Sequence, residues 1–211
     1  MSQPDLIGIF GGTFDPIHYG HINSVVSLIN ELDFKTIYLL PSSTPPHREQ
    51  ASSTAADRLK MVELAINGHP KLKADDRESK CTGKSYTIDT LMSFRLQFPD
   101  DSLAFIAGMD AYINMPNWKR WQEYLDYAHI IVMNRPGYNR SGESWGEAYI
   151  TDDKAQILSS ISGKIYYANS RLIDISSTEI RKKLKAGQNL GSVLPGTVIN
   201  YINRKQLYAH T

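Results

Sequence analysis

The stretch Gly11-Gly12-Thr13-Phe14-Asp15-Pro16-Ile17-His18-Tyr19-Gly20-His21 concentrates residue types that handle phosphate. Two adjacent glycines let a backbone approach a ligand closely. His18 and His21 lie three apart, and the first turn of a helix would put both on one side. Free amides at a helix start attract an anion. Two imidazoles and those amides make a phosphate cradle. Two other readings compete with it. One is a tight turn followed by ordinary helix-start residues. The other is a metal site, which would have two ligands and no nearby third. The Gly-x-Gly-x-x-Gly spacing of dinucleotide-cofactor folds is absent.

A second segment, Ile175-Ser176-Ser177-Thr178-Glu179-Ile180-Arg181, opens a helix. Ser176 and Glu179 have capping-box spacing, and Ile175 and Ile180 occupy the staple positions. Gly187 suits the residue just past the helix end. Lys182, Lys183 and Lys185 match the dipole near that end and read as a solvated face.

Both segments need a scaffold that presents them. Short apolar runs at 6–10, 36–40, 103–107 and 130–133, with a weaker one at 164–167, read as buried strands. The run at 6–10 ends in Gly11-Gly12, as if stopped by a turn. Ile22, Val25, Val26 and Ile29 form a helix face, as do Leu59, Val62 and Ile66. Ile88, Leu91 and Met92 suggest a helix entered at Ser85-Tyr86-Thr87, and a Trp-rich helical stretch separates the runs at 103 and 130. Alternating strands and helices predict one α/β domain over 1–211, a Rossmann-like parallel sheet with helices on both faces. Residues 176–211 would form a small C-terminal helical subdomain carrying Arg181. Ligands of such sheets bind beyond the carboxyl ends of the strands, where the first motif falls.

Composition narrows the class. The 211 residues carry 23 Lys and Arg against 22 Asp and Glu, a net charge of +1. That balance argues against a nucleic-acid scaffold held by bulk phosphate attraction. Hydrophobic residues make up 41% and charged residues 21%, which fits a globular domain rather than a disordered chain. One cysteine, Cys81, excludes an internal disulfide framework and a multi-cysteine zinc site. No apolar run reaches the roughly 18–20 residues of a membrane span, and the start lacks the basic region of a signal peptide. The expectation is a soluble cytoplasmic protein with small-molecule partners; oligomeric state cannot be read from these residues.

The first motif resembles the GGTFDPxHxGH signature of the nucleotidyltransferase superfamily with the H-x-G-H motif. Nine fixed positions at roughly 5% each make a chance match on the order of 10⁻⁹. The second resembles that superfamily's IS-x-T-x-I-R signature. Within it, residues 6–208 most resemble the bacterial nicotinate-nucleotide adenylyltransferases. The similarity includes Pro45-Pro46-His47-Arg48, Ser85-Tyr86-Thr87, Gly108-Met109-Asp110, Pro116-Asn117-Trp118, Asn134-Arg135-Pro136-Gly137 and Leu207-Tyr208.

This resemblance implies that nicotinate mononucleotide is joined to the adenylyl group of ATP, giving the deamido dinucleotide and pyrophosphate. The nucleophile is a phosphate monoester with a second pKa near roughly 6, already largely ionised at neutral pH, so no general base is needed. His18, His21 and Arg181 would be the catalytic groups: His21 at the α-phosphate, His18 beside the triphosphate, Arg181 on the leaving phosphates. Gly12 and the backbone of Thr13 and Phe14 would contact ATP, as would Ser177 and Thr178. Gly108 would let adenosine approach and Asp110 would take ribose hydroxyls; the competing reading of Asp110 is a helix N-cap. Mg2+ would arrive on the ATP phosphates, with no metal site in the protein.

For the acid substrate, Trp118 would stack on the pyridine ring, though core packing explains a tryptophan there equally well. Backbone amides at Tyr86 and Thr87 would favour a carboxylate over an amide. Arg48 and Arg135 would contact anions, although each alone reads as a surface arginine. His47 would help close the site, with the 42–53 loop as the closing element. His69, His129 and His210 have no motif support. There are departures. Ser42 stands where the family often has Asn and would partly replace it. Lys119 stands where an aromatic is often seen, which predicts a weaker secondary pyridine contact. The tail lacks the common glycine near Lys205-Gln206. Rival readings are another acceptor (nicotinamide mononucleotide or phosphopantetheine), a nucleotide sensor without turnover, and a zinc protein.

Overall fold

The computed structural model describes residues 4–42, 51–80, 85–134, 145–171 and 175–209. Among these residues six strands, all parallel to their neighbours, form one sheet in the order β3-β2-β1-β4-β5-β6. They are β1 (Leu6–Gly12), β2 (Thr36–Pro41), β3 (Leu72–Ala74), β4 (Ser102–Gly108), β5 (His129–Asn134) and β6 (Ile165–Arg171). This is the doubly wound, Rossmann-like order expected from the alternating pattern.

Side-chain alternation along each strand supplies two cores. Leu6 and Phe10 face one side with Ile37, Leu39, Ala104, Ile106 and Ile131. Ile7 and Ile9 face the other with Leu40, Phe105, Ile130 and Val132. The first side is covered by α1 (Tyr19–Leu32), α2 (Ala55–Ala65), α6 (Lys154–Ser159), α7 (Ser177–Lys185) and α8 (Gly196–Lys205). The second is covered by α3 (Thr87–Gln97), α4 (Met109–Asn114) and α5 (Tyr124–Tyr127). Each fully buried Leu, Ile or Phe side chain stabilises this arrangement by about 1.5–3 kcal/mol. Ile180 of α7 and Val198 and Tyr201 of α8 join the same core as α1 and α2.

Three expectations need correction. β1 does not stop before its glycines: Gly11 and Gly12 continue the ladder opposite Leu40 and Pro41. The Trp-rich stretch is not one helix. Pro116 lies in a 3-10 turn over Met115–Asn117, Arg120 takes a left-handed φ of 53°, and a second 3-10 turn spans Trp121–Glu123; Pro116 lacks the amide a continuing α-helix would use. Of the predicted α2 face, Val62 and Ile66 are buried, while Leu59 is only half-buried and Arg58 takes the core position beside Met61.

The chain passes from β1 through α1 to β2 on one side, and returns through α3 to β4 on the other. The carboxyl ends of β1 and β4 therefore border the point where the winding reverses, the ligand crevice of such sheets. Among the described residues, no helix is long and apolar enough to cross a membrane.

Candidate active site

A cleft of about 910 Å³ opens at that crevice. Its floor is the turn after β1. A Cβ on Gly12 would stand 2.9 Å from the Phe14 ring, so the turn requires glycine there. Phe14 itself has a left-handed φ of 49° and is buried. Its ring meets the His21 imidazole edge to face, with centroids 5.1 Å apart. His18 is the N-cap of α1, and its backbone N–H donates to His21 Nδ1 at 3.3 Å. That bond puts the proton of a neutral His21 ring on Nε2. His21 lines the cleft. His18 lies stacked beneath it, 3% exposed, and burial lowers its pKa to about 4.

The predicted set of free amides at the start of α1 is only partly there. The Tyr19 amide donates to the Val193 carbonyl at 2.9 Å, and that of His21 to His18 O. The 190–194 segment, anchored in the core by Leu190 and Leu194, crosses this helix end and takes the bond. A second helix start borders the cleft. Ser177, Thr178 and Arg181 of α7 line the cleft. Ser176 occupies the N-cap position but its side chain caps nothing, so the predicted capping box does not form. Tertiary bonds fix the helix start in its place: Ser177 Oγ donates to Pro16 O at 3.1 Å, and Arg181 Nη1 to Asp15 O at 2.7 Å. Past the other end, Gly187 adopts φ 64° as expected.

Gly108 ends β4 as the N-cap of α4, and Asp110 falls inside the first turn, not at the cap. Both line the cleft. The far wall holds Tyr86, Thr87 and Trp118. Trp118 is half-buried and packs edge-on against Phe105, 6.4 Å between centroids, while one side meets the cleft; core packing and ring exposure coexist. Tyr86, the N-cap of α3, makes no side-chain cap. The Lys119 ammonium stands 4.1 Å over the Tyr86 ring on the same wall, so the departure at 119 brings a cation to this end of the cleft. Ser42 donates to Gly12 O from both its amide and its hydroxyl, at 2.9 and 3.3 Å. His47, Arg48 and Arg135 lie outside the described residues, as do 43–50 of the predicted closing loop.

Sequence reasoning missed three groups that shape the cleft. Arg58 is 1% exposed, and its Nη1 donates to Thr13 O at 2.8 Å and Ser42 O at 2.6 Å. It ties the turns after β1 and β2 together. A charged residue three and four positions before Met61 and Val62 was the available signal. Glu78 lines the cleft and accepts from Ser85 Oγ and Thr90 Oγ1, both at 2.9 Å; burial pushes its carboxyl above the usual range. Tyr208 reaches Asp15 from the C-terminal tail, with Oη 2.7 Å from Oδ1. Nothing in the local sequence marks Glu78, and Leu207-Tyr208 entered the resemblance with no role attached.

A family model described as cytidylyltransferase-like matches residues 9–183. A protein of Yersinia pestis (strain Pestoides F) named "Probable nicotinate-nucleotide adenylyltransferase" is 41% identical, over 98% of this chain and 97% of its own. One of the same name from Serratia proteamaculans (strain 568) is 43% identical, over 96% and 95%. The solved Plasmodium falciparum nicotinic acid mononucleotide adenylyltransferase complexed with NaAD superposes with a TM-score of 0.72, covering 98% of each chain at 22% identity. That last likeness carries the fold. Near-complete alignment with the bacterial relatives carries more: the chain belongs to the cytidylyltransferase-like family and, within it, to the nicotinate-nucleotide adenylyltransferases.

Proposed function

We propose that the cleft transfers the adenylyl group of ATP to the phosphate of nicotinate mononucleotide, giving nicotinate adenine dinucleotide and pyrophosphate. One observation carries this reading: a single cleft joins His21, the start of α7 with Ser177, Thr178 and Arg181, and the aromatic wall of Tyr86 and Trp118. A monoester oxygen attacks the α-phosphorus in line. The bond from that phosphorus to the bridging oxygen breaks, and its electron pair leaves with pyrophosphate. The protein's task is alignment and charge neutralisation.

His21 Nε2–H donates to the α-phosphate. His18 stacks behind it on the triphosphate side, as a buried neutral ring. Ser177, Thr178 and Arg181 take the leaving phosphates, and Gly12 and the backbone of Thr13 and Phe14 border the triphosphate. Gly108 and Asp110 hold adenosine. Tyr86, Thr87 and Trp118 hold the pyridine acid, joined by Ser42, His47, Arg48 and Arg135. Magnesium enters as magnesium–ATP, bound through phosphate oxygens and water. The donor set fits that mode: the Asp15 carboxylate already accepts bonds from Ser52, Ser53 and Tyr208. Among the described residues, no three His, Cys, Asp or Glu side chains group as a metal site. The chain works as one domain, with 176–211 as a helical appendage carrying Arg181.

The test supplies ATP labelled at the α-phosphate together with nicotinate mononucleotide. Label in the dinucleotide, with one equivalent of pyrophosphate, is the expected result. Label remaining in ATP, with both substrates bound, overturns the reading.

A further inference from the structure

Four segments distant in sequence meet at Asp15. Its carboxylate is 3% exposed. Oδ1 accepts from the Tyr208 hydroxyl at 2.7 Å and from Ser53 Oγ, and Oδ2 accepts from the Ser52 amide at 2.7 Å. On the cleft side, Arg181 Nη1 donates to the Asp15 carbonyl at 2.7 Å and stands 3.9 Å from Oδ2. Arg181 Nη2 donates to Thr178 Oγ1 at 3.3 Å. The guanidinium is therefore held by Asp15 and Thr178 while Arg181 lines the cleft.

Tyr208 is built for this contact. Gln206 and Tyr208 both take left-handed backbones, with φ of 52° and 66°. Left-handed backbone at a residue other than glycine is tolerated where surrounding contacts fix it. Here it turns the tail back so that Tyr208 is buried against the first core, with its hydroxyl on Asp15. Burial and the Asp15 charge hold the phenol above its ordinary range, so it remains a donor.

We propose that Asp15 and Tyr208 are positioning residues that fix the Arg181 guanidinium for the departing pyrophosphate. The proposal rests on the reading of Arg181 as a ligand of the leaving phosphates. A long cationic side chain loses less freedom on binding when its orientation is set beforehand. Asp15 sets it through the carbonyl bond and the nearby charge. Three donors to the carboxylate fix it with Oδ2 3.9 Å from the guanidinium, an ion pair beyond hydrogen-bond distance. The C-terminal tail thus acts on the transfer step through Asp15 without touching substrate.

The test is a double-mutant cycle on Tyr208→Phe and Arg181→Ala. The first readout is calorimetric binding of magnesium pyrophosphate. Tyr208→Phe alone should weaken it about fivefold, and should weaken it no further when Arg181→Ala is present. The second readout is turnover. Tyr208→Phe should lower kcat about tenfold while the KM for nicotinate mononucleotide stays within about twofold. Ser53→Ala removes another donor to the same carboxylate and should give the same pattern; it decides the matter if Tyr208→Phe fails to fold. Equal losses with and without Arg181, or unchanged pyrophosphate affinity in both Tyr208→Phe and Ser53→Ala, overturn the proposal. Absent turnover in the unaltered protein would count against the proposed reaction, while the binding cycle would still decide the roles of Asp15 and Tyr208.

Discussion

His18 lies stacked on His21, with ring centroids 3.7 Å apart and planes 21° from parallel. Two charged imidazoles at that separation would repel, and burial already keeps His18 neutral, with a pKa of about 4. The pair therefore presents one donor backed by one neutral ring. Replacing His21 with Ala should lower kcat about 10²- to 10³-fold, the cost of losing a donor to developing charge. KM should change less than about threefold. Steady-state pyrophosphate release measures both, and unchanged turnover would remove His21 from the transfer step.

The two glycines after Phe10 should behave differently. A Cβ on Gly12 meets the Phe14 ring at 2.9 Å, while nothing lies within 4 Å of one on Gly11. Phe14 cannot yield without moving against His21. Gly12→Ala should destabilise the fold by about 1–3 kcal/mol, and Gly11→Ala by less than about 0.5 kcal/mol. Urea unfolding of the two variants compares them directly; equal losses would contradict the packing argument.

Much of this architecture was legible in the residues. The apolar runs marked five of the six strands, because a parallel sheet buried on both faces needs continuous apolar stretches. β3 escaped because Leu72–Ala74 has only three residues and one buried apolar side chain. The motif at 11–21 and the segment at 175–181 pointed to the cleft wall where His21, Ser177 and Arg181 stand. Local patterns misjudged the start of α7, where bonds to Asp15 and Pro16 do the work assigned to a cap. The roles of Arg58 and Tyr208 were missed because they come from partners far along the chain, at Thr13, Ser42 and Asp15; Glu78 was missed because no pattern marks its bonds to Ser85 and Thr90.

Arg58 should matter to stability more than a surface arginine would. Its Nη1 serves the carbonyls of Thr13 and Ser42, and the side chain is fully buried. Arg58→Met keeps an apolar stem but leaves both carbonyls without that donor. The expected cost is about 3 kcal/mol in urea unfolding, since unpaired buried polar groups carry their desolvation penalty. A loss below about 0.5 kcal/mol, the range of surface substitutions, would contradict the bridging role.

Acid should weaken the fold through its buried histidines. Nε2 of His129 lies 3.0 Å from Ser160 O, and its Nδ1 accepts from the Lys164 amide at 3.1 Å. Both ring nitrogens are thus used by the neutral form, and burial lowers the pKa to about 4, as at His18. The unfolded chain takes up these protons near pH 6.5 and the folded chain refuses them. Their contribution is therefore complete above about pH 6.5 and is lost as pH falls toward 4, by at most about 3 kcal/mol for each histidine. Urea unfolding at several pH values should show this slope, and His129→Gln should reduce it. An unchanged slope in that variant would contradict the assignment.

Adenylyl transfer to a pyridine mononucleotide acid can be read from a single comparison. The most direct measurement compares pyrophosphate release from magnesium–ATP with nicotinate mononucleotide and with nicotinamide mononucleotide, in parallel. Rapid release is expected with the acid and at least about tenfold lower kcat/KM with the amide, because the α3 start beside Tyr86, Thr87 and Lys119 favours a carboxylate. Equal release with both, or faster release with the amide, would contradict the acid-selective wall. No release with either would contradict the reaction itself.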